Sequence, residues 1–237
     1  MEENKMRKVD IGIIGALAEE VEALIARLDS HEVEMLGSVE FHLGILEGKR
    51  VAIARCGIGK VFAAICTEAM IIGYAPDLIV NTGVGGALAK GLSVTDTVIA
   101  DKLVQHDMDT SPIGDPKGLI SGINKVWFDT DERARNILAA AAEKLGLVAK
   151  VGSIASGDQF VATSEVKGRI VNEFGASACE MEGASVAQVA FVNNTKFIVI
   201  RAISDSADEG SSMDYMTFMP IAAKNSAALT VELVREY

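Results

Sequence analysis

An unbroken apolar run, mostly β-branched, near the carboxyl end, Phe197-Ile198-Val199-Ile200, constrains this chain more than any other stretch. An apolar run without polar alternation marks a strand buried on both faces, which an α/β sheet provides and a one-faced antiparallel sheet does not. Arg201-Ala202-Ile203 carries the run forward, then Ser204-Asp205 follow, with Asp208 close behind. Sheets of this class present their chemistry at the carboxyl ends of their strands. A bare carboxylate is costly to bury there, so Asp205 is solvated, paired, or held for a task; the expectation adopted is a task.

The rest of the chain alternates in the same style. Val9 to Ile14 reads as a first strand closed by Gly15-Ala16, after which Val21, Leu24, Ile25 and Leu28 fall at helical spacing. Glu19 and Glu20 then lie in the first turn of that helix, where its dipole favours negative charge. Phe41 to Leu46 and Val51 to Ala54 flank Glu47-Gly48-Lys49-Arg50 as a hairpin. A helix over Val61 to Ile72, a strand Leu78 to Val80 meeting Gly83-Val84-Gly85-Gly86, and a strand Thr97 to Ala100 come next. Residues 110 to 128 hold scattered prolines and glycines without periodicity and read as a long loop. Asp131 to Leu145 is an alanine-rich helix and Val148 to Ile154 a strand. Helices at 164–174 and 183–193 are split by a short strand, Ser177 to Cys179, and a last helix runs from Thr217 to Arg235. The expected fold is one α/β domain over residues 1–237, a three-layer sandwich with a mixed central sheet flanked by helices.

Composition closes off several function classes. With 22 Lys+Arg against 33 Asp+Glu, the net charge is −11, which argues against a nucleic acid or an anionic membrane as partner. Three cysteines without a close pair fit neither a disulfide framework nor a zinc site, so no metal is expected and a reducing cytosol is the natural setting. Met1 to Lys5 hold no apolar signal core, and no apolar run is long enough to span a bilayer. These readings give a cytoplasmic protein.

The glycine clusters fail the nucleotide patterns they suggest. A phosphate-binding P-loop ending at Gly59-Lys60 would need glycine at Ala54 and Ser or Thr at Val61; the dinucleotide fingerprint would need a third glycine at Phe62 or Leu88. Tight turns, or small residues that let backbone amides approach a ligand, remain. No cofactor is expected. Acids follow predicted strands at Glu19-Glu20, Glu180-Met181-Glu182 and Asp205, and should converge at one edge of the sheet. His31 and His42 sit in surface-like segments, so a histidine-based triad lacks support. Cys179 reads either as a thiol nucleophile beside Glu180 or as a buried structural cysteine.

Taken together, Gly12-Ile13-Ile14-Gly15-Ala16 with Glu19-Glu20-Val21, Cys56-Gly57-Ile58-Gly59-Lys60, Asn81-Thr82-Gly83, Ser156-Gly157-Asp158-Gln159-Phe160, Glu180-Met181-Glu182-Gly183-Ala184 and Arg201-Ala202-Ile203-Ser204-Asp205 resemble the 5′-methylthioadenosine/S-adenosylhomocysteine nucleosidases. The motifs stand in register along nearly the whole chain, within the nucleoside phosphorylase/hydrolase superfamily.

The resemblance implies hydrolysis of the N-glycosidic bond of a 5′-substituted adenosine, without cofactor, by a homodimer acting in methionine salvage. It makes Asp205 the general acid toward adenine N7 with Ser204 orienting it, Glu20 the base that activates water, and Glu182, beside Glu180, the acceptor for the ribose diol. Phe160 would stack on adenine and the Val161 backbone read its edge. Met181, Ile58, Leu17 and the close backbone at Gly86 would line the sugar side, with Tyr215 closing over the 5′ side from a Gly210-to-Met216 loop. Superfamily phosphorylases hold phosphate with arginines where this chain has Glu19-Glu20 and Asn81, so water is the expected nucleophile; Arg55 and Lys60 are the cations that speak for phosphate. A non-catalytic nucleoside-binding protein is the other alternative. The chain departs from the family at Val84, where a small hydroxyl residue is common, and over Ser111 to Trp127. The 106–120 region would reach the neighbouring subunit's site, which leaves open methylthioadenosine, adenosylhomocysteine, 5′-deoxyadenosine or aminodeoxyfutalosine as the main substrate.

Overall fold

The computed structural model describes residues 7–237; the charged Met1 to Lys5 stretch lies outside them. In chain order the strands and helices are β1 (Ile11–Gly15), α1 (Ala18–Ile25), β2 (Asp29–Leu36), β3 (Val39–Leu46), β4 (Lys49–Arg55), α2 (Lys60–Tyr74), β5 (Leu78–Ala87), β6 (Thr97–Gln105), β7 (Phe128–Asp129), α3 (Glu132–Leu145), β8 (Ala149–Ser156), α4 (Ser164–Phe174), β9 (Ala178–Glu180), α5 (Gly183–Val192), β10 (Lys196–Asp205) and α6 (Ser211–Glu236). All strands join one ten-stranded mixed sheet.

The strand that contains Phe197 to Ile200, β10, is central. β10 runs parallel to β5 and antiparallel to β6. Its alternate residues face opposite layers: Phe197 and Val199 join one apolar cluster with α2 and α5, while Ile198 and Ile200 join another with α1, α3 and α6. That is the physical content of a β-branched run without alternation: both faces are covered, so every position is apolar. The result is the helix–sheet–helix sandwich expected from the sequence.

The sheet also closes on part of itself. β5 pairs with β10, β10 with β6, β6 with β8, β8 with β9, and β9 returns to β5 at Gly86 and Ala87. This ring leaves the carboxyl ends of β5, β9 and β10 side by side, and the parallel pair β1–β5 brings the end of β1 to the same rim. Three of those ends, β1, β9 and β10, carry the acids that follow strands in the sequence, and β5 brings its glycines against them.

Several elements differ from the sequence expectation, among them β6, which runs on to Gln105, and the two-residue β7 at the end of the expected loop. β2 was not expected, because it is an edge strand paired only with β3 and almost wholly exposed, so it has no buried face to write a pattern. Gly83 to Gly86 are not a turn but the second half of β5. β10 extends through Ser204 and Asp205, placing the acid in the strand. Helix α6 begins at Ser211, not Thr217, so Tyr215 lies in a helix and not in a loop. The Ser211 hydroxyl receives the Asp208 N–H at 2.6 Å at that start. Its first turns are largely exposed at Met213 and Met216, which silences the apolar periodicity. Residues 110 to 128 contain only a short 3-10 turn, Ser111–Ile113, and an isolated bridge between Ile120 and Lys125 before β7. No described helix is long and apolar enough to cross a membrane.

Candidate active site

A hollow of about 380 Å³ opens at the rim where β1, β5, β9 and β10 end, a size within the roughly 300–1,000 Å³ of small-molecule pockets. Every position assigned to the site from the sequence lines it. Glu20, Glu180, Glu182, Asp205 and Ser204 supply the polar wall, and Leu17, Ile58, Met181, Phe160, Val161, Tyr215 and Gly86 supply the rest. Ala16, Val84, Gly85, Gln159 and Cys179 also line it and were not assigned there.

Glu20 sits in the first turn of α1 and reaches back to its start. One carboxylate oxygen accepts the N–H groups of Ala16 at 2.7 Å and Leu17 at 2.9 Å; the other accepts the N–H of Val84 at 3.0 Å. The same carboxylate thus satisfies orphan donors of the helix start and is held rigidly at the hollow. Burial pushes its pKa above the usual carboxylate range, outweighing the Arg201 charge and these N–H bonds. The fit depends on Gly83, because a methyl group there would stand 2.5 Å from a Glu20 oxygen. Gly83→Ala should therefore displace Glu20, and steady-state assay should show turnover reduced by about 10²-fold, the scale of a 1 Å misplacement.

Asp205 is held differently. One oxygen accepts the Ser204 hydroxyl at 2.9 Å and the other the Ala207 N–H at 2.9 Å. Each oxygen keeps a further lone pair for a ligand or a proton. Burial raises its pKa despite these bonds, which is what a carboxyl acting as an acid requires. Glycine at 86 makes room, since a methyl there would stand 2.9 Å from an Asp205 oxygen.

Glu182 precedes α5 and accepts the Gly59 N–H at 2.8 Å. Its pKa is pushed up to about 7, first by burial and then by the charge of Glu180. Glu180 is the most occupied of the acids: one oxygen takes the Ser156 hydroxyl, and the other takes the N–H groups of Glu182 and Gly183 and the Arg201 guanidinium. It lines the hollow, but most of its bonding capacity is already committed.

Arg201 belongs to the site without having been assigned a role in it from the sequence, where a guanidinium inside an apolar strand is the available signal. It is 1% exposed and donates to Glu180, to the Asn81 side chain at 2.6 Å and to the Ile200 carbonyl at 2.9 Å. Burial works against its charge, but Glu180, Glu182 and Glu20 outweigh that and keep it protonated. Arg201 therefore acts as the counter-ion beneath the acid cluster. Asn81, in turn, is spent on Arg201 and on the Ile14 carbonyl at 3.0 Å.

The two cations that spoke for phosphate are accounted for. Lys60 turns its ammonium to Asp107 at 2.7 Å and Gln105 at 3.2 Å, and Arg55 is exposed beside a separate hollow. Among the described residues lining the acid hollow there is no Lys, Arg or His. Cys179 is buried, and burial followed by the charges of Asp205 and Glu180 pushes its thiol well up, so it is not a thiolate nucleophile. No cluster of His, Cys, Asp and Glu among the described residues has the arrangement of a metal site. Phe160 and Tyr215 meet edge to face across the mouth, ring centres 5.7 Å apart.

A mixed, partly closed α/β sheet flanked by helices, with buried acids round an apolar hollow at its strand ends, defines the nucleoside phosphorylase-like class of proteins. The profile of the Phosphorylase superfamily matches residues 10–235. The chain belongs to that superfamily and, within it, to the family of the 5′-methylthioadenosine/S-adenosylhomocysteine nucleosidases. It is 40% identical to such a nucleosidase of Haemophilus influenzae over 94% of this chain and 98% of the relative. It is 38% identical to an aminodeoxyfutalosine nucleosidase of Helicobacter pylori, over 95% and 98%. The crystal structure of the Neisseria meningitidis 5′-methylthioadenosine/S-adenosylhomocysteine nucleosidase with methylthio-immucillin-A superposes with a TM-score of 0.94 at 36% identity, covering 96% of this chain and 99% of that one.

Proposed function

We propose that this chain hydrolyses the N-glycosidic bond of 5′-methylthioadenosine and S-adenosylhomocysteine, releasing adenine and the 5′-substituted ribose, as a cytoplasmic homodimer with methionine salvage as its setting. One observation carries the reading: the hollow is walled by four acids and no basic side chain among its described lining residues. Such a wall favours a sugar gaining positive charge and repels phosphate. As the bond from C1′ to N9 breaks, its electron pair passes to adenine, and Asp205 gives its proton to N7. Water, losing a proton to Glu20, attaches at C1′, while the carboxylate of Glu182 accepts from the ribose hydroxyls and steadies the cationic sugar. Phe160 stacks on the base, the Val161 backbone reads its edge, and Tyr215 covers the 5′ substituent.

Adenine release measured in phosphate-free buffer across 5′-methylthioadenosine, S-adenosylhomocysteine, 5′-deoxyadenosine and aminodeoxyfutalosine tests this. The expected result is free adenine and free sugar from the first two without added phosphate. Phosphate-dependent appearance of a sugar 1-phosphate would establish a phosphorylase instead, and binding without any product a nucleoside-binding protein.

A further inference from the structure

Outside the lining of the hollow, three segments far apart in sequence are joined by a closed ring of hydrogen bonds. The Lys60 backbone N–H donates to the Asp158 carboxylate at 2.8 Å. The Asp158 backbone N–H donates to the Asp107 carboxylate at 2.9 Å. The other Asp107 oxygen accepts the Lys60 ammonium at 2.7 Å, closing the circuit. The side chains of Lys60 and Asp107 are 19% and 28% exposed, while Asp158 is open to solvent, so the ring is partly buried at the protein surface. Burial raises the Asp107 pKa, but the bonds from Lys60 and Asp158 prevail and hold it below the usual carboxylate range.

The ring adjoins two parts of the hollow's wall through the chain. Gly59, one residue before Lys60, gives its N–H to Glu182, which faces the sugar side. Phe160, two residues after Asp158, lines the base side. The leading N–H donors of α2 are thus split between an acid of the site and an acid of the ring, a use that the positive end of the helix dipole favours. Lys60 is anchored further by Gln105, and its carbonyl accepts the Ser185 hydroxyl at 2.6 Å from α5, the helix that follows Glu182. Any shift of Asp107 therefore moves Lys60 and Asp158 together, and with them the spacing of Glu182 and Phe160.

We propose that Lys60, Asp107 and Asp158 are positioning residues whose ring sets the distance between the sugar and base halves of the site; this rests on the nucleosidase reading above. A merely structural ring would affect every ligand alike. A spacing device affects only ligands that bridge both halves.

The experiment compares binding of free adenine with binding of a hydrolysis-resistant carbocyclic adenosine analogue by calorimetry, in the full chain and in Asp107→Asn and Lys60→Met, alongside adenine-release kinetics. In both variants the analogue should bind about 10-fold more weakly and kcat should fall about 10–100-fold, while adenine affinity stays within about twofold, since misplacement by 1 Å is felt on that scale only where two parts must be aligned. Lys60→Arg, which keeps a charged donor for Asp107, should recover most of the loss. Equal weakening of adenine and analogue, or no weakening of either, overturns the proposal. If Asp107→Asn does not fold, Lys60→Met makes the same comparison, because its backbone N–H still holds Asp158. A parent chain that releases no adenine defeats the nucleosidase reading; a parent chain that turns over while the variants match it defeats the ring alone.

Discussion

Asp205→Asn should lose about 10²–10⁴-fold in kcat, the worth of a positioned proton donor, with the far-ultraviolet circular dichroism unchanged. The substitution keeps the shape, with the amide oxygen able to accept the Ala207 N–H and the amide nitrogen able to donate to the Ser204 hydroxyl, but it removes the carboxyl proton that the proposed reaction gives to adenine. The pH profile makes the sharper distinction. Asp205 is competent as an acid while protonated, and burial raises its pKa, so the parent enzyme should decline as pH rises through that raised value. Glu20 as the base and Glu182 as the acceptor for the sugar must both be ionised, so their raised pKa values set the acid-side decline. In Asp205→Asn the alkaline decline should vanish and the acid-side decline remain. A variant that kept both limbs would show that the proton comes from elsewhere.

Arg201→Met should be the most destabilising single change at the site. It leaves Glu180 without its guanidinium and Glu182 without the cation 3.8 Å away, although both side chains are buried. Removing one member of a buried ion pair costs roughly 3–5 kcal/mol, because the remaining charge stays desolvated. For a chain of this size, that lowers the melting temperature by on the order of 10 °C. The deficit should narrow on acidification: Glu182, already at about 7, takes up a proton more readily once the cation has gone, and a neutral carboxyl no longer needs it. A melting temperature within about 2 °C of the parent, equivalent to under about 1 kcal/mol, would mean that the arginine is not the counter-ion of the cluster.

What was legible in the sequence follows from which forces leave local marks. β10 announced itself because burial on both faces demands apolar residues throughout, and the acids after β1, β9 and β10 could be read because strand ends in such sheets carry chemistry. The role of Arg201 was harder to see, because its meaning lies in carboxylates some twenty residues away that only the β9–β5–β10 arrangement brings under it. Gly83 to Gly86 read as a turn, because glycine's commonest local use is to turn; here it admits the Glu20 and Asp205 carboxylates against a strand. Tyr215 was placed at the site by resemblance and in the wrong element by pattern. β2, exposed at the sheet edge, left no pattern to read.

The gathering of acids over a single guanidinium has a consequence for how the protein responds to acid as a whole. At Glu20, Glu182 and Asp205 the folded chain retains protons at pH values where an unfolded chain has released them. Linkage then makes this trio's contribution to stability fullest on the acidic side, fading as pH climbs toward the value near 7 set by Glu182. Buried His106, whose pKa burial lowers, pulls in the opposite sense below neutrality. In the proposed reaction Glu20 and Glu182 therefore work in the ionisation state the interior likes least, while Asp205 works in the one it favours, and a bound cationic sugar would relieve the tension at the first two.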